Sequence, residues 1–276
     1  MRAQNLTISV PYKGCDKNCP YCVSKMTGYV ESDEEQFRAN MLKARTVAKA
    51  AQVSSILITG KGEPFRNLEA CNIIGENFME FPIEIQTNGY ALYTHWGFNG
   101  GIFCSKFLDV IAFSIDSMST WREYSGMMKS IRDDYGIVVR VTLNMTDELA
   151  VVSSFMDFID FALDCKVSQL SFRNIVVPNQ MTHTKEAMEA AKWITAHDCS
   201  RNYELITKEF KQSDWEAHII KTLPFGAKVY DVKGVAVTMF DECVQHSNHN
   251  DDIRSLIYQE DGHLYTSWDS PASILF

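Results

Sequence analysis

Cys15, Cys19 and Cys22 fall within eight residues of chain, in the segment GCDKNCPYC. Three thiolates at the spacing C-x3-C-x2-C can each take one iron of a 4Fe–4S cube from a single loop, because cysteine thiolates hold such cubes and the spacing sets which iron each reaches. No fourth cysteine lies nearby, so the fourth iron would lack a protein ligand. An open metal position is where a site does chemistry instead of only holding a fold together, as at open zinc sites. With 8 Cys in 276 residues, chance rarely sets three so close. Structural zinc is the competing use, but it wants four closed ligands. The nearest histidine, His95, is far downstream, and no second cysteine pair stands beside the triplet.

Other segments carry groups that can bind a ligand. In TGKGEPF, residues 59–65, two glycines let the backbone approach a ligand and present amide hydrogens to a carboxylate or phosphate. Glu63 can accept from an ammonium, and Pro64 fixes the turn. QTNGY carries Asn88-Gly89 as a turn. SIDS places Ser114 and Asp116 on one side of a strand by alternation, and TLNMT offers the amide of Asn144. Cys71, Cys104, Cys165 and Cys199 sit in apolar or helical patterns and read as small buried hydrophobes.

These groups need elements to position them. Residues 6–10, 55–59, 83–87, 110–115, 137–143 and 169–172 are short runs rich in Val, Ile, Phe or Thr, each followed by polar or glycine-containing chain. That pattern predicts six strands. Helical periodicity fills 32–51, 67–79, 117–134 and 148–165; the first opens on SDEE, an N-cap followed by acidic residues. Strands alternating with helices predict parallel βαβ units, in a partial or complete barrel or a doubly wound sheet. In either, functional loops lie at the carboxyl ends of the strands. After residue 177 the pattern changes. Residues 184–213 and 214–223 are expected as helices, and 227–232, 235–240, 253–258 and 263–268 as strands, with Lys233-Gly234 and Asp261-Gly262 as hairpin turns. The expected organisation is a core over 1–177 and an extension over 178–276.

Taken in order, these pieces resemble the radical S-adenosylmethionine (SAM) superfamily. Cys15, Cys19 and Cys22 match its cysteine motif, with aromatic Tyr21 before the last cysteine. Gly60-Lys61-Gly62-Glu63-Pro64 matches its Gly-Gly-Glu-Pro motif, with Lys61 interrupting the glycine pair. The resemblance covers about residues 6–177. It implies an α/β fold, a partial (β/α)6 TIM-like barrel with a C-terminal α+β extension covering the substrate side. It also implies a 4Fe–4S cluster on the three cysteines, and SAM chelating the open iron. On the same resemblance, Gly60, Gly62 and Glu63 meet the methionine amino group, and the Tyr21 backbone meets adenine. Ser114, Asp116 and Asn144 are candidates for the methionine carboxylate or the ribose hydroxyls. Arg140 and Arg173 are either carboxylate partners, since guanidinium suits bidentate binding, or members of ordinary ion pairs at the barrel rim.

The implied reaction is reductive cleavage of SAM to a 5′-deoxyadenosyl radical that takes hydrogen from a small-molecule or nucleotide substrate. An external electron donor such as flavodoxin or ferredoxin would feed it. The alternatives are a peptide- or protein-modifying relative without auxiliary clusters, or a non-catalytic iron–sulfur or zinc module. Cys243, His246 and His249 form C-x2-H-x2-H, a pattern that could invite metal, within a polar stretch that reads as a loop with incidental histidines; Cys243 as hydrogen donor to a product radical is a further option. The net charge, 26 − 35 = −9, advertises no basic face for extended nucleic acid. No run of 18 apolar residues predicts a membrane span, and the start lacks the apolar stretch of a signal peptide. A cytoplasmic protein, with its thiols reduced, is expected.

Overall fold

Short runs of Ile, Val, Leu and Thr form the strands of this protein. The structure, a computed structural model, describes residues 1–95, 100–150, 154–223, 226–241, 253–268 and 270–276. Its described strands are β1 (Ala3–Ser9), β2 (Ser55–Thr59), β3 (Ile83–Thr87), β4 (Val110–Ile115), β5 (Val138–Asn144), β6 (Gln169–Arg173), β7 (Ile219–Thr222), β8 (Lys228–Val232), β9 (Val235–Phe240), β10 (Ile253–Tyr258) and β11 (Leu264–Tyr265). From β1 to β6 every strand is followed by helix before the next begins. The fold is α/β, with the sixfold strand–helix alternation of the partial TIM-like class.

The chain divides into two units. The first comprises residues 1–18 and 29–111 with the described residues from 253 onward. Its β1 pairs in parallel with both β2 and β10, β2 pairs in parallel with β3, and β11 runs antiparallel to β10. Leu6, Ile8, Ile56, Ile58, Ile83 and Ile85 are buried at alternate positions, so one face of these strands is turned wholly into the core. The last strand pair of the chain therefore belongs to the first unit. The second unit comprises residues 19–28 and the described residues from 112 to 241. Its β5 pairs in parallel with β6 and β6 with β9; β8 runs antiparallel to both β9 and β7. Val139, Val141, Leu143, Leu170, Phe172 and Val237 form its sheet core.

Side-chain caps start several helices where the sequence signals them. Asn67 accepts from Ala70 N before the helix Leu68–Phe78, and Ser117 accepts from Thr120 N before Met118–Tyr135. The helix expected over 148–165 instead comprises Asp147–Ala150 and a separate helix, Phe155–Asp164, which Ser154 and Asp157 open with a reciprocal capping box. Elsewhere too the structure corrects the expectation. The helix expected over 32–51 is two, Glu34–Ala39 and Met41–Ala50, and its cap is Asp33, because the Ser32 hydroxyl donates to Glu260 instead. Residues 184–213 also form two helices, Lys185–Ala196 and Cys199–Lys211, broken where Asp198 takes φ 47°. Residues 214–223 are a single 3-10 turn and then β7, since the β-branched pair Ile219-Ile220 is held by pairing with β8. The expected hairpin turns stand: Lys233 and Gly234 both take positive φ between β8 and β9, and Gly262 takes φ 74° between β10 and β11.

Candidate functional site

In the first unit, β1 runs out into the loop that carries Cys15, and several side chains fix that loop. Gly14 takes φ +93°, a conformation that suits glycine. Arg66 lies along it, donating Nε to Lys13 O at 2.9 Å and pairing with the Asp16 carboxylate. Buried Asn67 donates Nδ2 to Pro11 O at 3.0 Å. Glu260, fully buried, accepts from Tyr12 N at 2.9 Å, Ser32 Oγ at 2.7 Å and Ser9 Oγ at 3.1 Å. Cys15 is exposed, and Asn88 donates Nδ2 to its Sγ at 3.4 Å.

The glycine-rich loop after β2 rests on the same segment. Glu63 N donates to Gly14 O at 3.0 Å. A Cβ on Gly62 would stand 2.3 Å from Gly14 O and 2.9 Å from the Tyr12 ring, so Gly62 is required by protein packing. At Gly60 the nearest atom would be Val10 O at 3.4 Å, an ordinary contact. Packing therefore does not demand glycine at position 60. The Glu63 carboxylate is buried; Oε1 accepts from Thr87 Oγ1 at 2.6 Å and Phe65 N at 3.2 Å, and Oε2 from Asn88 N at 2.8 Å. Three of its four lone pairs are thus used, and the fourth is on Oε2. Burial pushes its pKa above the ordinary carboxylate range, against those three hydrogen bonds.

In the second unit, Cys19 and Cys22 are half-buried and bracket a turn. Cys22 N donates to Cys19 O, and Cys22 O accepts from Lys25 N and Met26 N as the helix Val23–Thr27 begins. Lys25 Nζ also donates to Cys19 O at 2.9 Å. Tyr21 donates its hydroxyl to Asp116 Oδ2 at 2.7 Å, and its ring lies 5.5 Å from that of Trp193. Burial first, then the charges of Asp116 and Cys19, push the phenol pKa well up, so Tyr21 stays a proton donor. Asp116 follows β4, Asn144 ends β5 and Arg173 ends β6, with Asn144 and Arg173 in register. Thr146 Oγ1 donates to Asp116 O at 2.7 Å and Met145 N to Arg173 O at 3.1 Å, which ties these carboxyl ends together. Ser114 sits within β4, half-buried.

Arg140 is placed elsewhere. It opens the paired stretch of β5, donates Nε to Gln169 Oε1 at 2.7 Å, and lies four residues before Asn144, about 13 Å along the strand. Cys243, His246 and His249 lie outside the described residues.

The donor chemistry fits an iron–sulfur cluster. No disulfide joins the described cysteines, and the three of the motif reach the surface fully or in part, whereas Cys71, Cys104, Cys165 and Cys199 are buried. Among the described residues, no three His, Cys, Asp or Glu side chains converge as ligands of one metal ion. Cluster ligands do not converge in that way, since each cysteine binds a different iron. Sequence reading missed Arg66, Asn67, Asn88 as a sulfur donor, and Glu260. Only the Asn67 cap left a local signal.

No protein-family model and no curated protein matches the chain. Among solved structures, the crystal structure of Streptococcus suis SuiB bound to precursor peptide SuiA is similar, with a TM-score of 0.59 over 96% of this chain and 14% sequence identity. This protein shares the fold of SuiB. It spans 60% of the SuiB chain, and the likeness at that identity speaks for the fold alone. No described helix is long and apolar enough to cross a membrane.

Proposed function

We propose that this chain is a radical SAM enzyme that modifies a peptide. The observation that carries the reading is the Gly-x-Gly-Glu-Pro loop, which hydrogen-bonds through Glu63 N to Gly14, the residue before the first cysteine of C-x3-C-x2-C. Two motifs of one superfamily, 45 residues apart from Cys15 to Gly60, meet at that bond. The peptide substrate is favoured over a small molecule or nucleotide by the fold likeness to a protein bound to its precursor peptide. A non-catalytic metal module has no use for Gly60 or for the strand-end groups of the second unit.

Cys15, Cys19 and Cys22 would hold the cluster, each as a thiolate. With SAM bound, that group supplies a 5′-deoxyadenosyl radical able to take hydrogen from a substrate carbon. In the first unit, Gly60 leaves room for close approach and the spare lone pair of Glu63 Oε2 accepts from an ammonium. In the second, Arg173 offers a guanidinium to a carboxylate, and Asp116, Asn144 and Ser114 offer partners to hydroxyls. Tyr21, locked as a donor, holds Asp116 in place. Electrons come from an external donor of the flavodoxin or ferredoxin kind.

The test is anaerobic reconstitution with iron and sulfide, followed by reduction in the presence of SAM. Wild type is expected to load iron and release 5′-deoxyadenosine, and Cys15→Ala to do neither. A colourless wild type containing zinc, or a Cys15→Ala protein that still cleaves SAM, removes the proposal. The peptide part is tested by presenting peptides encoded beside the protein's own gene and following a mass change. Turnover of nucleotides with none of peptides would return the small-molecule reading.

A further inference from the structure

The sequence marks Asn88 only as a turn residue, yet its backbone N–H and both polar atoms of its side chain have assigned partners in the first unit. Its backbone N–H donates to Glu63 Oε2 at 2.8 Å, and its Oδ1 accepts from Tyr90 N at 2.9 Å. With Oδ1 engaged, the amide is oriented, and Nδ2 donates to Cys15 Sγ at 3.4 Å. The support behind it is rigid: Glu63 is held by Thr87 Oγ1 and Phe65 N, and Thr87 Oγ1 also accepts from Gly89 N at 2.9 Å. A side chain needed only to close the turn would require Oδ1 alone.

We propose that Asn88 is a positioning residue that tunes the reduction potential of the cluster by donating a hydrogen bond to the sulfur of Cys15. This rests on the radical SAM reading above. A donor on a ligand sulfur withdraws electron density and favours the form that carries the extra electron, and hydrogen bonds to sulfur are among the terms that set cluster potentials. Asn88 therefore makes the cluster easier to reduce.

The test uses full-length protein reconstituted anaerobically, with iron and sulfide content measured and the midpoint read by EPR-monitored titration. Asn88→Ser keeps a short acceptor for Tyr90 N but cannot reach Cys15. Asn88→Asp keeps the shape and the acceptor and puts an oxygen where the donor was. Both retain the backbone bond to Glu63. Both are expected to load as much iron as wild type, with midpoints shifted to more negative values. Asn88→Ser should shift by about a tenfold change in the reduction equilibrium, about 59 mV for one electron, and Asn88→Asp by more. Asn88→Gln, which restores an amide, should recover part of the shift. Loaded variants with the wild-type midpoint overturn the assignment of Asn88 and leave the cluster reading intact. A wild type that takes up no iron overturns both.

Discussion

Asn88 N and Glu63 Oε2 are 2.8 Å apart, and that bond joins the loop after β2 to the end of β3 within the first unit. Glu63 is 4 % exposed, so its carboxylate stands in low-dielectric surroundings with three protein donors. Desolvation is the largest influence on it and raises its pKa. A carboxyl whose folded pKa exceeds its unfolded value gives stability that is complete below the unfolded pKa, near 4.3, and is lost as pH rises through the folded value. Glu63→Gln removes that titration and sets an amide NH2 against the Asn88 N–H, at a cost of about 1–3 kcal/mol. Thermal unfolding of both proteins across pH is expected to show the wild-type advantage largest at low pH and shrinking as pH rises above about 4.3. A gap that widens with pH contradicts this account.

The two glycines of one motif should answer differently to the same change. Gly62→Ala drives a methyl into Gly14 O, a backbone atom that cannot turn aside, and into the Tyr12 ring. A loss of about 1–3 kcal/mol is expected from overpacking alone. Gly60→Ala meets nothing closer than 3.4 Å, so its stability should stay within about 0.5 kcal/mol of wild type. If Gly60 faces SAM, its alanine variant should fold normally yet bind SAM more weakly by equilibrium dialysis. Equal melting temperatures for the two variants would show that the close approach at Gly62 is not what the glycine serves.

Much of this is legible in the chain itself. β2 to β4 lie where runs such as SILIT and VIAFSI place them, because β-branched residues bounded by polar turns have few other uses. The helix starts at Asn67 and Ser117 are local, since cap donor and acceptor lie three residues apart. What stayed hidden was set by partners far along the chain. Ser32 looks like a cap until Glu260, 228 residues on, takes its hydroxyl. Arg66 reads as an ordinary charge until it meets Lys13 O, and Asn88 as a turn residue until it meets Cys15, 73 residues earlier. The β7 segment looked helical because its four residues are too short to show a period, and pairing with β8 decides it. The cysteines and the glycine motif could be found from spacing. The side chains that hold their loops could not.

Glu260 tests the hold on the loop that carries Cys15. It lies just past β10, wholly buried, and its two oxygens take three donors from Ser9, Tyr12 and Ser32. Glu260→Ala leaves Tyr12 N–H and two hydroxyls without that acceptor. At about 1–3 kcal/mol for a buried group left unsatisfied, a clear fall in melting temperature is expected. Iron loading on reconstitution should fall with it, since the same bond fixes the backbone three residues before Cys15. Wild-type stability and wild-type loading in this variant would mean that the loop is held by Arg66 and Asn67 without it.

The described cysteines separate into two groups that alkylation can read. The thiolate is the reactive form, and burial disfavours it. Burial pushes the Cys104 thiol up to about 12 and those of Cys165 and Cys199 up to about 11, and it raises Cys71 further. At pH 8 a thiol with a pKa near 11 is ionised to about one part in a thousand, and access is closed as well. Cys15 is exposed, and Cys19 and Cys22 are half-buried. Anaerobic metal-free protein treated with iodoacetamide should therefore be labelled at Cys15, Cys19 and Cys22, with Cys71, Cys104, Cys165 and Cys199 reacting only after denaturation. Peptide mass mapping resolves the sites. Reconstitution before labelling should protect the first three together, because a thiolate bound to iron is no longer a free nucleophile. Protection of only one or two of them would break the three-ligand assignment, whatever the iron content of the sample.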